Sequence, residues 1–249
     1  MKASATIAVA RCGERDVVID QRCSAPFSVR QCDGRILLAS SAAAPVGGDE
    51  LELTVDVGAG ALVSVGSVAA SMVWPGVGGE SSSMTTTCAV GDAAHLDLSL
   101  EPTISLARSR HRTTTLVRLG SDATCRVLEE TVLGRRDEVS GRLDLSLRVE
   151  RDGRPILHHD ERFGPDVPGA WSSVSVGAGR HVVSAVLVGI DPGPPEVCVE
   201  ADRSAAWLPV AADAAVAMAV GPDRPSTMNM LAALHPALVR TAPVSKPRA

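Results

Sequence analysis

Leu51-Glu52-Leu53-Thr54-Val55-Asp56-Val57 alternates apolar and polar residues without a break. In an extended chain successive side chains point to opposite faces. Leu51, Leu53, Val55 and Val57 therefore share one face, and Glu52, Thr54 and Asp56 share the other. The device recurs in Leu96-Asp97-Leu98-Ser99-Leu100 and in Leu143-Asp144-Leu145-Ser146-Leu147-Arg148-Val149. Thr114 to Leu119, Thr124 to Thr131, His181 to Val188 and Glu196 to Glu200 also read as strands. Half-buried strands of this kind predict an all-β, mainly antiparallel fold.

Working outward, the strands are punctuated by a repeated turn. Val57-Gly58-Ala59-Gly60, Val90-Gly91-Asp92-Ala93, Leu119-Gly120-Ser121-Asp122 and Val176-Gly177-Ala178-Gly179 each read as a strand end, a glycine turn and a new strand. Counted from the first glycine of each, the steps are 33, 29 and 57 residues, and Asp152-Gly153 supplies a hairpin turn inside the longest. A period near 30 predicts stacked, solenoid-like sheets. One or two short helices are expected near the C-terminus, starting after Ser226 as N-cap and broken at Pro236. Asp191 to Pro195 and Gly164 to Gly169 read as loops, and residues 241–249 as a flexible tail. No linker divides the chain, so residues 1–249 are expected to form a single domain.

Composition narrows the function. Phe27, Phe163, Trp74, Trp171 and Trp207 are the only aromatic residues, and tyrosine is absent. Single-strand nucleic-acid readers stack bases on aromatic rings, and a phosphate-backbone partner calls for excess Lys and Arg. A net charge of -5 argues against the second, so no nucleic-acid partner is expected. No run reaches the roughly 20 apolar residues that span a bilayer, and Ala205 to Val220 is broken by Pro209 and Asp213. Arg11 follows a short apolar stretch without a cleavage site, which reads against a signal peptide, and a cytoplasmic protein with no membrane partner is expected. Six scattered cysteines without a C-x-x-C pair read as buried thiols rather than disulfides.

No nucleophile elbow, P-loop, dinucleotide fingerprint or H-E-x-x-H motif is present, so the chain does not read as an enzyme. Two segments concentrate ionisable groups. In His158-His159-Asp160-Glu161, neighbouring imidazoles point to opposite faces of a strand. The segment reads either as a solvated strand end or as a source of transient metal ligands. In Glu129-Glu130-Thr131-Val132-Leu133-Gly134-Arg135-Arg136, one of the two carboxylates must point inward. A buried carboxylate needs a partner, internal water or a cation to meet, and Arg135 is the nearest partner in sequence. Asp49, after Gly47-Gly48, reads as a turn aspartate.

Four motifs in order resemble a known family. Ala44-Pro45-Val46-Gly47-Gly48-Asp49-Glu50-Leu51 is similar to the Gly-Gly-Asp segment of the urease accessory protein UreD (UreH) family. Glu101-Pro102-Thr103-Ile104 resembles its Pro-Glu-Pro-Thr-Ile segment. Glu129 to Arg135 resembles its acidic strand ending in Leu-Gly-Arg, and Arg151 to Leu157 the hairpin beyond. The resemblance spans residues 24–163. Gly66-Ser67-Val68-Ala69-Ala70-Ser71-Met72-Val73-Trp74 departs from the family, with apolar Val68 and Met72 at its glutamine and lysine positions.

The resemblance implies a non-enzymatic scaffold, a chaperone of nickel insertion that binds apo-urease together with UreF and, through UreF, the GTPase UreG. It also implies an internal, water-filled passage, with Ni(II) in transit and no tightly bound cofactor. Carried over, the lining candidates are Asp49, Ser71, Glu129, Glu130, His159, Asp160 and Glu161. A homodimer within the accessory complex fits the same picture. The alternative from another class is a β-rich small-ligand-binding protein or a hydrolase without a recognisable motif.

Overall fold

A computed structural model describes residues 1–32 and 34–238. The 241–249 tail lies outside the described residues. The chain opens with a hairpin, β1 (Lys2–Cys12) and β2 (Arg15–Cys23), followed by a second, β3 (Phe27–Cys32) and β4 (Arg35–Ser40). It then winds back and forth through β5 (Glu50–Val57), β6 (Leu62–Ser67), β7 (Ser71–Val73), β8 (Ser82–Val90), β9 (His95–Ser99) and β10 (Thr103–Ser105). The winding continues through β11 (Arg110–Leu119), β12 (Thr124–Leu133) and β13 (Arg142–Arg151). Five strands close the sheets: β14 (Arg154–Phe163), β15 (His181–Val188), β16 (Glu196–Val199), β17 (Ser204–Ala211) and β18 (Ala214–Gly221). The helix α1 (Arg224–Leu234) follows.

Two sheets result. One runs β14-β13-β11-β8-β5-β1-β2; the other runs β16-β17-β18-β15-β12-β9-β6-β4-β3, with β7 and β10 as a short side branch on β12. In the middle the chain crosses between the sheets at every turn, so each circuit is one coil of a solenoid. Glu50 aligns with Ser83, Ser83 with Arg112 and Arg112 with Asp144, giving coils of 33, 29 and 32 residues. The glycine spacing in the sequence is thus the coil length. The turn at Gly177 does not join this stack, because it sits in the loop between β14 and β15.

The sheets are mixed rather than mainly antiparallel: among the described residues, nine of the sixteen strand pairings are parallel. Alternation reports one buried face and one open face, not pairing direction. Parallel sheets usually lose the alternation because helices cover both faces. Here the outer face of the shorter sheet stays open and its alternation survives, whereas α1 covers part of the longer sheet and β15 is buried along its whole length. Leu53 and Val55 from one sheet and Leu96 and Leu98 from the other share a single core with Val, Ala and Ile and no fully buried ring.

The stacked turns explain the repeated spacing of small residues along the chain. Gly91 N donates to Val57 O at 2.7 Å and Gly120 N to Val90 O at 2.8 Å, so each turn hangs from the coil below. A Cβ on Gly91 would lie 2.8 Å from the backbone nitrogen of Ala59. Gly91→Ala is therefore expected to cost about 1–3 kcal/mol by overpacking. Denaturant unfolding checks this, and a variant equal to wild type would mean the turns are not in contact.

Helix α1 starts one turn earlier than Ser226 suggests. Asp223 is the N-cap, its Oδ1 accepting from Ser226 N at 2.9 Å, and Pro225 sits in the first turn where its missing N–H costs nothing. Met230 and Leu231 pack on Ala205, Trp207 and Ala217 of the longer sheet. Cys88 and Cys125 are buried thiols, whereas Cys12, Cys23 and Cys32 are exposed, contrary to the expectation of burial. Among the described residues, no helix is long and apolar enough to cross a membrane.

Candidate functional site

The interior of the solenoid is apolar at one end of the coils and polar at the other. Near the stacked turns, Val57, Val90, Leu119, Ala123 and Cys125 fill the space. Further along the same faces the inward positions become hydroxyls. Ser71 pairs with Thr103 and Thr103 with Thr131, a ladder across β7, β10 and β12. Opposite them, Thr86 of β8 pairs with Thr115 of β11. Between these rows lies a cavity of about 120 Å³ that follows the solenoid axis past Ser67, Ser71, Thr86, Thr103 and Thr131 to Glu129. Leu38, Leu51, Leu98, Leu100 and Leu145 share the lining, so the hydroxyls and carboxylates form a polar track along a largely apolar wall, with room for several waters. Ser71 is exposed and the Glu101 side chain is 41% exposed, which places the mouth at the first two coils.

Of the three carboxylates that line this interior, Glu101 and Glu130 pair with Arg224, and Glu129 is the one left without a Lys or Arg partner among the described residues. Strand alternation points it inward from β12, where its Oε1 accepts from Thr115 Oγ1 at 2.6 Å. Burial pushes its pKa up to about 7; the Thr115 hydroxyl works against the rise, nearby Glu161 adds to it, and His159 lowers it. His159 and Glu161 come from β14, two strands beyond β11 in the same sheet. His159 Nε2 lies 3.5 Å from Glu161 Oε2, an ion-pair distance longer than a good hydrogen bond. Glu161 and then the Glu129 charge raise the imidazole's pKa, while burial opposes them. The sequence candidates Glu129, His159 and Glu161 are thus brought together, and Ser71 lines the same space.

Two other candidates, Asp49 and Asp160, sit elsewhere, and Glu130 borders the cavity but is taken up by an ion pair. Glu130, the outward neighbour of Glu129, is buried against the start of α1. Arg224 Nε and Nη2 donate to it at 2.6 and 2.8 Å, and His181 Nε2 lies 3.1 Å away. Burial alone would raise its pKa, but Arg224 and His181 outweigh it and hold the carboxyl below its usual range. Its partner is 94 residues away in sequence. Arg135, the sequence-adjacent choice, instead binds Glu138 at 2.8 Å. Asp49 closes its own turn, with Val46 N donating to Oδ2 at 2.8 Å and the Met1 ammonium 2.5 Å from Oδ1. Asp160 faces outward beside His158 at 3.4 Å, the opposite face from His159, as alternation requires.

His111 is the residue that the sequence reading missed. It lines the cavity from β11, and its Nδ1 lies 2.8 Å from Ser82 Oγ. Burial lowers its pKa to about 4, so the imidazole is neutral near pH 7. The signal was present: His111, Thr113 and Thr115 alternate with Arg112 and Thr114, which puts the histidine on the hydroxyl face. Chemically the site offers weak hydroxyl donors, the carboxylates of Glu129 and of the Arg224-paired Glu101 and Glu130, and one imidazole, set among apolar side chains. Among the described residues, no three His, Cys, Asp or Glu side chains converge as a metal cage.

Comparison with known proteins bears on this geometry. Residues 1–248 match the family described as UreD urease accessory protein. A urease accessory protein UreD of Parafrankia sp. (strain EAN1pec) is 34% identical over 231 residues, covering 83% of this chain and 78% of its own. The Streptomyces coelicolor protein of that description is 35% identical over 207 residues, 80% of this chain and 81% of its own. Urease accessory protein UreD 2 of Saccharopolyspora erythraea is 32% identical over 223 residues, 84% of this chain and 78% of its own.

Proposed function

The chain belongs to the UreD family of urease accessory proteins, and on that premise we propose that it is a non-catalytic maturation factor whose interior conducts Ni(II) toward apo-urease. In this reading it works in the cytoplasm, bound to urease apoprotein together with UreF and, through UreF, the GTPase UreG. The observation that carries the proposal is Glu129, a carboxylate placed between two sheets at an internal cavity with a threonine hydroxyl as its hydrogen-bond donor. A buried carboxylate without a fixed cation is costly. The cost has a use if a cation passes.

A moving ion needs ligands that replace part of its hydration shell and then release it. Scattered hydroxyls and single carboxylates do this, whereas a closed cage of strong donors would hold the ion. Ser71, Thr103 and Thr131 lead from the exposed mouth to Glu129, and His159 and Glu161 continue two strands further. At about 4.8 Å per strand, β5 to β14 spans roughly 19 Å. Val68 and Met72, the apolar departures, are 58% and 40% exposed, and their neighbours Ser67 and Ser71 supply hydroxyls to the lining.

Deleting this gene alone from an active urease operon is expected to leave urease assembled but poor in nickel. Metal content and activity of the purified urease check this. Wild-type activity after deletion would overturn the proposal.

A further inference from the structure

We propose that His111 is a nitrogen ligand inside the passage, the station at which Ni(II) is distinguished from hard divalent ions such as Mg(II). The proposal rests on the nickel-conducting reading above and deepens it.

Oxygen donors alone give poor discrimination. Carboxylate, hydroxyl and water suit Mg(II), Ca(II) and Mn(II), and imidazole shifts preference toward Ni(II), Cu(II) and Zn(II). Along the cavity wall every other polar side chain is a serine, threonine or glutamate, and His111 is the one imidazole among the described residues there. Its orientation suits the role. Ser82 Oγ, 2.8 Å from Nδ1, can hold that nitrogen in its N–H form, because the same hydroxyl is within 3.4 Å of the Arg110 carbonyl and can donate to it. Nδ1–H donation leaves the Nε2 lone pair free, and Nε2 makes no hydrogen bond among the described residues. Holding a ligating imidazole through its second nitrogen is how proteins fix the tautomer at metal sites.

A second observation marks the same spot. Thr113 follows two residues later on the same face, and its Oγ1 is buried without a hydrogen-bond partner. Buried hydroxyls are normally satisfied, so this one calls for water or a ligand in the cavity. His111 and Thr115 are four residues apart on one strand, about 13 Å. Thr115 holds Glu129, so the imidazole and the carboxylate are separate stations rather than one cage.

The test uses the full chain labelled at its six histidines and observed by NMR. Titration with Ni(II) should broaden or shift the His111 ring signals before those of the surface imidazole His158, while millimolar Mg(II) leaves them in place. His111→Phe assigns the signal. If that variant does not fold, Ser82→Ala assigns it instead through the change in its ring partner. Ser82→Ala should also raise the Ni(II) concentration needed for the shift about tenfold, the usual cost of losing a ligand-orienting partner. In urease activation, His111→Phe should keep complex formation but make activation more sensitive to competing Mg(II).

A His111 signal indifferent to Ni(II), or equally responsive to Mg(II), overturns the assignment. The two readings fail separately. If His111 is silent while Glu129 variants still block nickel transfer, the passage stands without this station. Normal transfer through Glu129 variants removes the passage itself.

Discussion

Asp97→Ala is expected to destabilise the fold by about 3–5 kcal/mol, the usual cost of leaving one member of a buried ion pair alone. Asp97 Oδ1 meets Arg126 Nη1 at 2.6 Å with side-chain exposures of 2% and 7%. Arg126 Nε also donates to the Ala237 carbonyl at 3.1 Å, so the guanidinium ties the segment after α1 to the longer sheet. Burial lowers the guanidinium's pKa, and the Asp97 charge opposes that effect. For a chain of this length the loss corresponds to a fall in Tm on the order of 10 °C. Adding Arg126→Met to the same chain should recover most of it, because the stranded charge is then gone. A single variant that melts with wild type would show that the pair is solvated.

Glu129→Gln should do the opposite. The folded pKa of Glu129 lies near 7 and its unfolded value near 4.5. The folded state therefore binds the proton more tightly than the unfolded state, and ionisation opposes folding. Below about pH 4.5 the acid is neutral in both states and no penalty exists. The penalty grows as pH rises from 4.5 to 7 and is complete above 7, where it amounts to about 3 kcal/mol. An amide cannot ionise, yet it can still accept the Thr115 hydroxyl. Glu129→Gln is thus expected to match wild type near pH 5 and to exceed it by up to about 3 kcal/mol at pH 8. Urea unfolding at the two pH values measures the difference. A variant less stable than wild type at pH 8 would mean that Glu129 is a structural residue.

These two carboxylates also show what the sequence could and could not reveal. Asp97 sits in an alternating strand that alternation found, and Glu129 in a run, Thr124 to Thr131, that reads as a strand without clean alternation. His181 to Val188 was legible to the residue, and the 33 and 29 spacing of the glycine turns was the coil length before any coordinates. The inward direction of one residue in Glu129-Glu130 was equally legible, because two neighbours on a strand cannot face the same way. What alternation does not carry is the identity of the layer on each side. Asp97 reads as a solvent-facing residue in Leu96-Asp97-Leu98, but it is buried against Arg126, which in turn reaches the Ala237 carbonyl after α1. The buried carboxylate of Glu129-Glu130 reads as a partner for Arg135, yet α1 brings Arg224 to Glu130 from the far end of the chain. Pairing direction was hidden for the same reason, since a solenoid coil and a hairpin place apolar residues identically along each strand. His111 was masked by its flanking arginines, although its period-two relation to Thr113 and Thr115 put it on the cavity face.

The central claim is that the interior carboxylate serves the ion and not the fold. Its most direct test is the nickel content of urease matured in the presence of Glu129→Gln at limiting nickel, with assembly of the accessory complex verified in the same preparation. The account predicts an intact complex and urease that carries several-fold less nickel than wild type. An intact complex delivering urease with its full complement of nickel would contradict it.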